Sequence, residues 1–559
     1  MEQHMNGAAR TPAISIDGMP PQFLKKKELF EFTRADRTLT PLAALCGFLF
    51  WEWLAKPGAS LGVFAFTVAL AASALCYFRM RGIRQSGKSL AALGLVAALA
   101  LHFLIFDDSP VRLLVLPFLS AAYLYWVAVS AGARIKDRVS EYIVFDLVNQ
   151  TFIAPMASLP IFFKSAAAAF VGKKRGKSVG LGLLGLLLCL PLALAVASLL
   201  RGADYSFMRL WDNMLEAADM DRVRTYVLEF FLGIPVAAYL FGSLFCAAGK
   251  RGRGSASEEG VARGLARAKI FPAALAYAPL ALLNALYLLF FVALGGYLFS
   301  AMSGSLPQDL TYAEYARRGF FELCQVATIN LCLTAGAYLL LKREAKPPLP
   351  LRVLVGSMSA FTVLLVVTAL SKMLLYISSY GLTRLRIYTT FFMVWLLLLF
   401  LLILLWHVRP FALAGPVTLL AVLCALVLAF GNSDGLIAKY NLEQYEAGRL
   451  ADVDYVTLAR LSDGAAPYVR AAYDRQSDGL AKANLRAVMM MLGRHVYDSE
   501  WRFEYRDGVI ADTRAPWGTR DSGAGGGPAP EGAGVQKNAS QFQRWNLQSF
   551  WADGLRGGM

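Results

Sequence analysis

Long apolar runs alternate with short charged stretches from residue 39 to residue 430, and this alternation organises the chain. Crossing a bilayer takes about 20 mostly apolar residues, because the hydrocarbon core is ~30 Å thick and an α-helix rises ~1.5 Å per residue. Eleven runs fit: Leu39–Leu54, Ser60–Phe78, Ser89–Phe106, Val111–Ala131, Ser178–Leu200, Thr225–Ala248, Phe271–Ser300, Phe321–Leu341, Val353–Ile377, Ile387–Trp406 and Phe411–Phe430. The first is short and carries Glu52. A backbone in hydrocarbon must satisfy its own hydrogen bonds, so each run reads as a helix. The expected fold class is all-α, a polytopic transmembrane bundle of about eleven spans with a small, mostly helical extracytoplasmic C-terminal tail. Four regions follow: a cytoplasmic arm over 1–38, the bundle over 39–430, a small soluble helical region over 431–515 and a Gly/Pro-rich flexible tail over 516–559. Within the soluble part, Trp501–Ile510 alternates as a hairpin about Asp507-Gly508. Gln541–Trp551 carries Trp545, Phe550 and Trp551 with which to dock back.

Composition agrees. Of 559 residues, 57% are hydrophobic and 17% charged, with mean hydropathy +0.49. A soluble domain averages roughly 45–50% apolar and about 25% charged. These values exclude a disordered chain, a disulfide-rich secreted scaffold and an ordinary soluble enzyme.

The net charge of +16 changes the picture only through its placement. Basic residues crowd the arm (Lys25, Lys26, Lys27) and every second loop, including Arg79–Lys88, Arg134–Lys177, Lys250–Lys269 and Lys342–Arg352. The alternate loops hold fewer, together with the acidic residues Asp107, Asp108, Asp212, Glu216, Asp219 and Asp221. Cytoplasmic loops carry the Lys and Arg excess, so the N-terminus is expected inside and, with an odd span count, the tail outside. The charge is a topology signal rather than a nucleic-acid footprint, and no nucleic-acid partner is expected. No cleavable signal peptide is expected either, since polar residues precede the first span. Tyr142–Phe163 is ambiguous: it is apolar but holds Asp146, Asn149, Gln150 and two prolines. Spanning would invert the later charge bias, so it is read as an interfacial stretch.

Apparent cofactor motifs fail on context. Gly180-Leu-Gly-Leu-Leu-Gly185 matches a dinucleotide fingerprint but lies inside an apolar span, where small residues serve helix packing. Gly172 to Ser178 has one residue too few for a phosphate loop. His4, His102, His407 and His495 lack metal-ligand spacing, and the seven cysteines fall inside spans. No cofactor, metal or catalytic motif is expected.

Two stretches are specific. One runs from Tyr312 through Arg317-Arg318-Gly-Phe to Glu322, and the other from Lys372 through Tyr376 and Tyr380-Gly-Leu-Thr to Arg384 and Arg386. With Gly431-Asn-Ser-Asp434, Ala438–Asn441, Leu199–Phe207 and Arg544–Leu547, they resemble the bacterial multi-pass membrane family 4173 among domains of unknown function, with a looser likeness to family 4153. The resemblance implies an integral protein of the bacterial plasma membrane and carries no activity.

Ionisable groups at membrane depth are costly and point to function. Arg317, Arg318, Glu322, Lys372, Tyr376, Tyr380, Arg384 and Arg386 converge in this reading on an outward-facing site for an anionic lipid head group or envelope precursor. Arginine forks suit phosphate and carboxylate. The plainer alternative is that Arg and Tyr anchor helix ends at head groups. Glu52, Glu229, Asn284 and Asn330 are further intramembrane polar residues, and the two asparagines suit interhelical hydrogen bonds. Three functions stay open: transport or handling of an anionic or lipid-linked envelope substrate, a non-enzymatic scaffold or sensor whose tail binds a protein partner, and a membrane-embedded transferase using Asp204, Asp212, Glu216, Asp219 and Asp221. The first predicts a polar cavity lined by Glu229, Asn284, Asn330 and Lys372.

Overall fold

A computed structural model of the chain describes residues 32–55, 60–106, 109–170, 220–249, 274–303, 320–340, 349–493, 503–506, 508–512 and 547–556, with isolated positions between 185 and 208. Thr33 starts the first helix in a capping box with Asp36, so two orphan N–H groups are satisfied at the outset. From there α1 (Arg34–Leu49) runs on into a π turn, Phe50–Leu54. It is followed by α2 (Ser60–Met80), α3 (Gly87–Ile105) and α4 (Ser109–Ala131). Next come α5 (Ile143–Val148), a second π turn and α6 (Ala154–Phe170), then α7 (Met220–Ala248) and α8 (Ala274–Ser303). The bundle closes with α9 (Phe320–Leu340), α10 (Leu349–Tyr380), α11 (Arg384–Val408) and α12 (Ala414–Phe430).

Ten of the eleven expected spans coincide with these helices; Ser178–Leu200 lies largely outside the described residues. Eight described helices are long and apolar enough to cross a membrane, or nine if α12 and the helix after it, bent by 63°, form one span. The bend is local. Asn432, at φ 41°, is the one non-glycine residue with positive φ among the described residues, and its side chain accepts from the Gly435 N–H. An αL residue cannot continue a right-handed helix, so the chain turns there.

The helices pack as two groups. The first core joins α1 to α4, α6, α7 and the end of α12 around the buried Trp126, Tyr77, Phe78 and Phe241. Its tightest seam is α1 on α7, where a Cβ on Gly47 would lie 2.3 Å from the Gly233 carbonyl oxygen. Small residues let backbones approach this closely, and in hydrocarbon such packing supplies the association energy that water does not. The second core joins α8 to α11 around Phe320, Met358, Met393, Leu396 and Phe400.

Contacts sort every helix end onto one of two faces. Asp36 of α1 pairs with Arg81 after α2, Ser89 of α3 meets Ser130 of α4, and Tyr338 of α9 meets His407 of α11. These mark the face where the chain enters. Opposite lie Phe48 with Tyr226, Arg112 with Ser60, and Phe106 with Phe430. The described loops richest in Lys and Arg therefore share the entry face, as their alternation required.

The ambiguous segment is also placed by its contacts. Gln150 donates to Ser243, Ser158 meets Cys246, Phe162 stacks edge-on to Phe241, and Ser165 meets Thr40. Some 22 Å of helix rise from Gln150 to Ser165 thus maps onto the last turns of α7 and the first turn of α1. α6 packs closely on this end of α7, where Gly242 lies against Pro155 and Ser158. Its outer side bears Val144, Phe152, Met156 and Phe163, all exposed.

On the face opposite chain entry sits a C-terminal domain: α13 (Ser433–Glu446), α14 (Tyr455–Ala459), α15 (Ala466–Arg475), α16 (Gly479–Met491), and the hairpin β1 (Phe503–Arg506) with β2 (Val509–Asp512). Arg506 pairs with Val509, leaving two residues for the turn, and Gly508 at φ 78° takes the position that turn requires. The last helix, α17 (Leu547–Arg556), belongs with this domain rather than with a flexible 516–559 tail. It docks through Ala552, Leu555 and Arg556, which donates to the Asp463 carboxylate and the Met489 and Leu492 carbonyls. Trp551 faces outward at 64% exposure. Of the other two aromatics expected to dock, Trp545 and the Phe550 side chain lie outside the described residues.

Candidate functional site

Lys372, Tyr376 and Tyr380 recur every four residues, so they share one side of the last turns of α10. Gly381, at φ 75°, then breaks the helix, and Thr383 caps α11 by accepting from the Arg386 N–H. This short reversal puts Arg386 over α10. Its guanidinium carbon stands 4.0 Å from the Tyr376 ring centroid, and it donates to the Tyr380 and Gly381 carbonyls at 2.8 and 2.5 Å. Tyr376 and Tyr380 lie ring to ring at 5.4 Å. Arg386 therefore satisfies the orphan carbonyls that end α10, a structural task.

Arg384 turns the other way. It grips Asp434 of α13 with two parallel bonds, Nε to Oδ1 at 2.8 Å and Nη2 to Oδ2 at 2.5 Å. Asp434 is 0% exposed and accepts also from the Ser462 N–H at 2.6 Å. Beside it, Asn441 clamps Leu382, accepting from its N–H and donating to its carbonyl. These contacts join the C-terminal domain to the α10–α11 turn. The sequence reading missed Asp434 and Asn441 as partners, although both lie in stretches it had singled out.

The eight expected substrate-binding residues thus divide. Lys372, Tyr376, Tyr380 and Arg386 come together, with Glu322 of α9 acting electrostatically on Lys372. Lys372 is 3% exposed, whereas Glu322 is exposed. Arg384 and Arg386 are held by protein acceptors instead of facing outward as a pair. Arg317 and Arg318 lie outside the described residues.

The other intramembrane polar residues do not share a cavity. Asn330 accepts from the Tyr287 hydroxyl at 2.6 Å and donates to Thr362 at 2.8 Å, tying α8, α9 and α10. Asn284 donates to the Leu354 carbonyl and accepts from Ser357. Both asparagines are thus interhelical links. Glu229 is buried in α7 of the first group, and Glu52 lies half-buried in the first π turn. Among the described residues an apolar cleft of about 850 Å³ lies between α8 and α9, lined by Leu280, Leu283, Phe321, Ile329, Leu333 and their neighbours. Among the described residues no group of three or more His, Cys, Asp or Glu side chains is placed to hold a metal ion.

The long apolar helices, with large side chains such as Leu113, Val292, Leu398 and Val427 exposed on their outsides, define a polytopic helical membrane protein in contact with lipid. The model of a family described as a domain of unknown function, DUF4153, matches residues 90–472, well over half of the chain, and the chain belongs to that family. The match thus falls on the second of the two related families named above. It runs from α3 to α15, so it includes the α10–α11 turn and Asp434 but stops before the hairpin and α17. No curated protein and no solved structure matches the chain.

Proposed function

We propose that the protein lies in a bacterial plasma membrane with its entry face in the cytoplasm and its C-terminal domain outside, and that it binds an anionic, lipid-type envelope substrate at the outer end of α9 and α10. The charge distribution supports the orientation: Arg79, Arg81, Arg84, Lys88, Arg134 and Arg352 share the entry face. On this reading α5 and α6 rest on the inner surface with their exposed apolar side toward lipid. The observation that carries the binding site is Lys372, a buried lysine on the same side of α10 as Tyr376 and Tyr380 and within electrostatic reach of Glu322, near the end of a membrane-crossing helix. An ammonium there costs desolvation and gives back charge recognition when an anion arrives. The substrate site centres on Lys372, Glu322, Tyr376 and Tyr380, with Arg317 and Arg318 leading into α9 and Arg384 and Arg386 holding the turn above it.

The test is binding of phosphatidylglycerol and phosphatidylcholine vesicles to purified full-length protein. Wild type prefers the anionic lipid, and Lys372→Gln at normal abundance loses the preference. An unchanged preference refutes the site. Reporter fusions at Arg84 and Asp452 check orientation, the first reading cytoplasmic and the second external.

A second reading, a scaffold or sensor whose C-terminal domain binds a protein partner, has its own support in the Arg384–Asp434 and Asn441–Leu382 joints, which couple that domain rigidly to two membrane helices. Deleting residues 433–559 should then abolish function while the bundle still folds. The transferase reading rests on Asp204, Asp212, Glu216 and Asp219, which lie outside the described residues, and on Asp221 in the first turn of α7.

A further inference from the structure

We infer that the cleft between α8 and α9 seats a hydrocarbon chain of an anionic glycerophospholipid whose phosphate lies toward Lys372. This deepens the binding site proposed above and rests on it only for the head group.

The cleft has a simple origin. Both α8 and α9 pack along α10 but barely on each other. Tyr287 and Asn330 link them at one point; elsewhere the two helices stand apart, and Ala276, Pro279, Leu280 and Leu283 form the α8 wall. On α9 the walls are Phe321, Gln325, Ile329, Leu333 and Ala337, a stripe with helical spacing that is almost wholly apolar. From Phe321 to Ala337 it covers about 24 Å of helix rise, most of the ~30 Å hydrocarbon thickness.

Lys372 lies on the strip of α10 that faces α8. Leu354, whose carbonyl receives Asn284 of α8, and Phe361, which stacks on Phe291 of α8, mark the side of α10 that meets α8. Position 372 is five turns beyond 354 at about 3.6 residues per turn, so Lys372 points the same way, farther toward the C-terminal domain. Glu322, one residue from Phe321, lies on α9 within electrostatic reach of it. The apolar α9 wall of membrane depth thus ends near Glu322, and Lys372 on the neighbouring strip of α10 supplies the cation that an anionic head group needs.

The cleft is long and open to the side, with a volume of about 850 Å³. An extended acyl chain is narrow enough. Lipid is also the one solvent that reaches the exposed Thr328, Ile329 and Cys332 along the opening.

Full-length protein in detergent, titrated with phosphatidylglycerol or phosphatidylcholine of identical chains and read by native mass spectrometry, tests this. Gly336→Phe and Ile329→Trp fill the cleft. A Cβ at Gly336 meets nothing within 4 Å and Ile329 is exposed, so neither substitution disturbs the core. Both should weaken the tightest lipid at least about tenfold, or ~1.4 kcal/mol, whichever head group it carries. Leu419→Trp on the exposed side of α12 should not. If the cleft variants retain lipid as Leu419→Trp does, the inference is overturned. It is equally overturned if they change the number of protein copies per particle, since a second chain then fills the cleft. If they lose lipid while Lys372→Gln keeps the preference for phosphatidylglycerol, the chain site stands and the anionic head-group reading falls.

Discussion

Arg384 and Asp434, fifty residues apart, form a two-pronged ion pair that fastens the C-terminal domain to the membrane bundle. Asp434 is buried and has a third bond from the Ser462 backbone, so its charge is fully engaged. Removing one partner of a buried pair strands the other and costs about 3–5 kcal/mol. Arg384 keeps 23% of its side-chain surface, so the lower part of that range applies. Asp434→Asn and Arg384→Gln should each lower the thermal midpoint of the full chain in detergent. The double variant should cost much less than the sum of the two. Additive losses would show that the pair contributes nothing as a pair.

Gly47 and Gly233 give the sharpest steric prediction. Either glycine replaced by alanine places its Cβ under 3.0 Å from the other's backbone. Two backbones must part, and the α1–α7 seam opens. Gly47→Ala should reduce the yield of monodisperse protein on size exclusion severalfold, whereas Gly94→Ala, with open space around its Cβ, should match wild type.

The Asn330 link is weaker by nature. Hydrogen bonds between membrane helices average ~0.6 kcal/mol, because the separated helices find other partners. Asn330→Leu removes two, to Tyr287 and Thr362, and should cost about 1 kcal/mol in a denaturation assay. Combined with Tyr287→Phe it should lose little more. A loss of several kcal/mol would mean that Asn330 organises the second core rather than merely linking it.

Asp463 gives a pH dependence outside the membrane. Burial pushes its carboxyl above the ordinary 3.8, with Arg556 and Ser549 opposing and Asp553 adding to the rise. Its pKa is higher folded than unfolded, so the folded state binds the proton more readily. The associated stability is present in full below 3.8 and fades as pH climbs through the raised value. Across a series of melts upward from pH 4, wild type should lose more stability than Asp463→Asn. Parallel curves would place the carboxylate in wetter surroundings than Gly493 and Arg556 provide.

The sequence by itself determined that the protein is an all-helical, multi-pass membrane protein. Span positions follow from apolar run length, and the two sets of loops follow from where Lys and Arg fall, because both reflect the transfer of single residues between water and hydrocarbon. The same local chemistry gave the hairpin around Gly508 and an interhelical role for Asn284 and Asn330. Pairing over distance was not legible. Nothing near Arg384 in sequence says that it meets Asp434 while Arg386, two residues on, caps α10. That outcome depends on which way a helix start points after Gly381. The apolar cleft was hidden for a related reason. Leu, Ile and Phe look alike in a run whether they face lipid, a neighbouring helix or an opening, and only the gap between α8 and α9 over α10 separates the three.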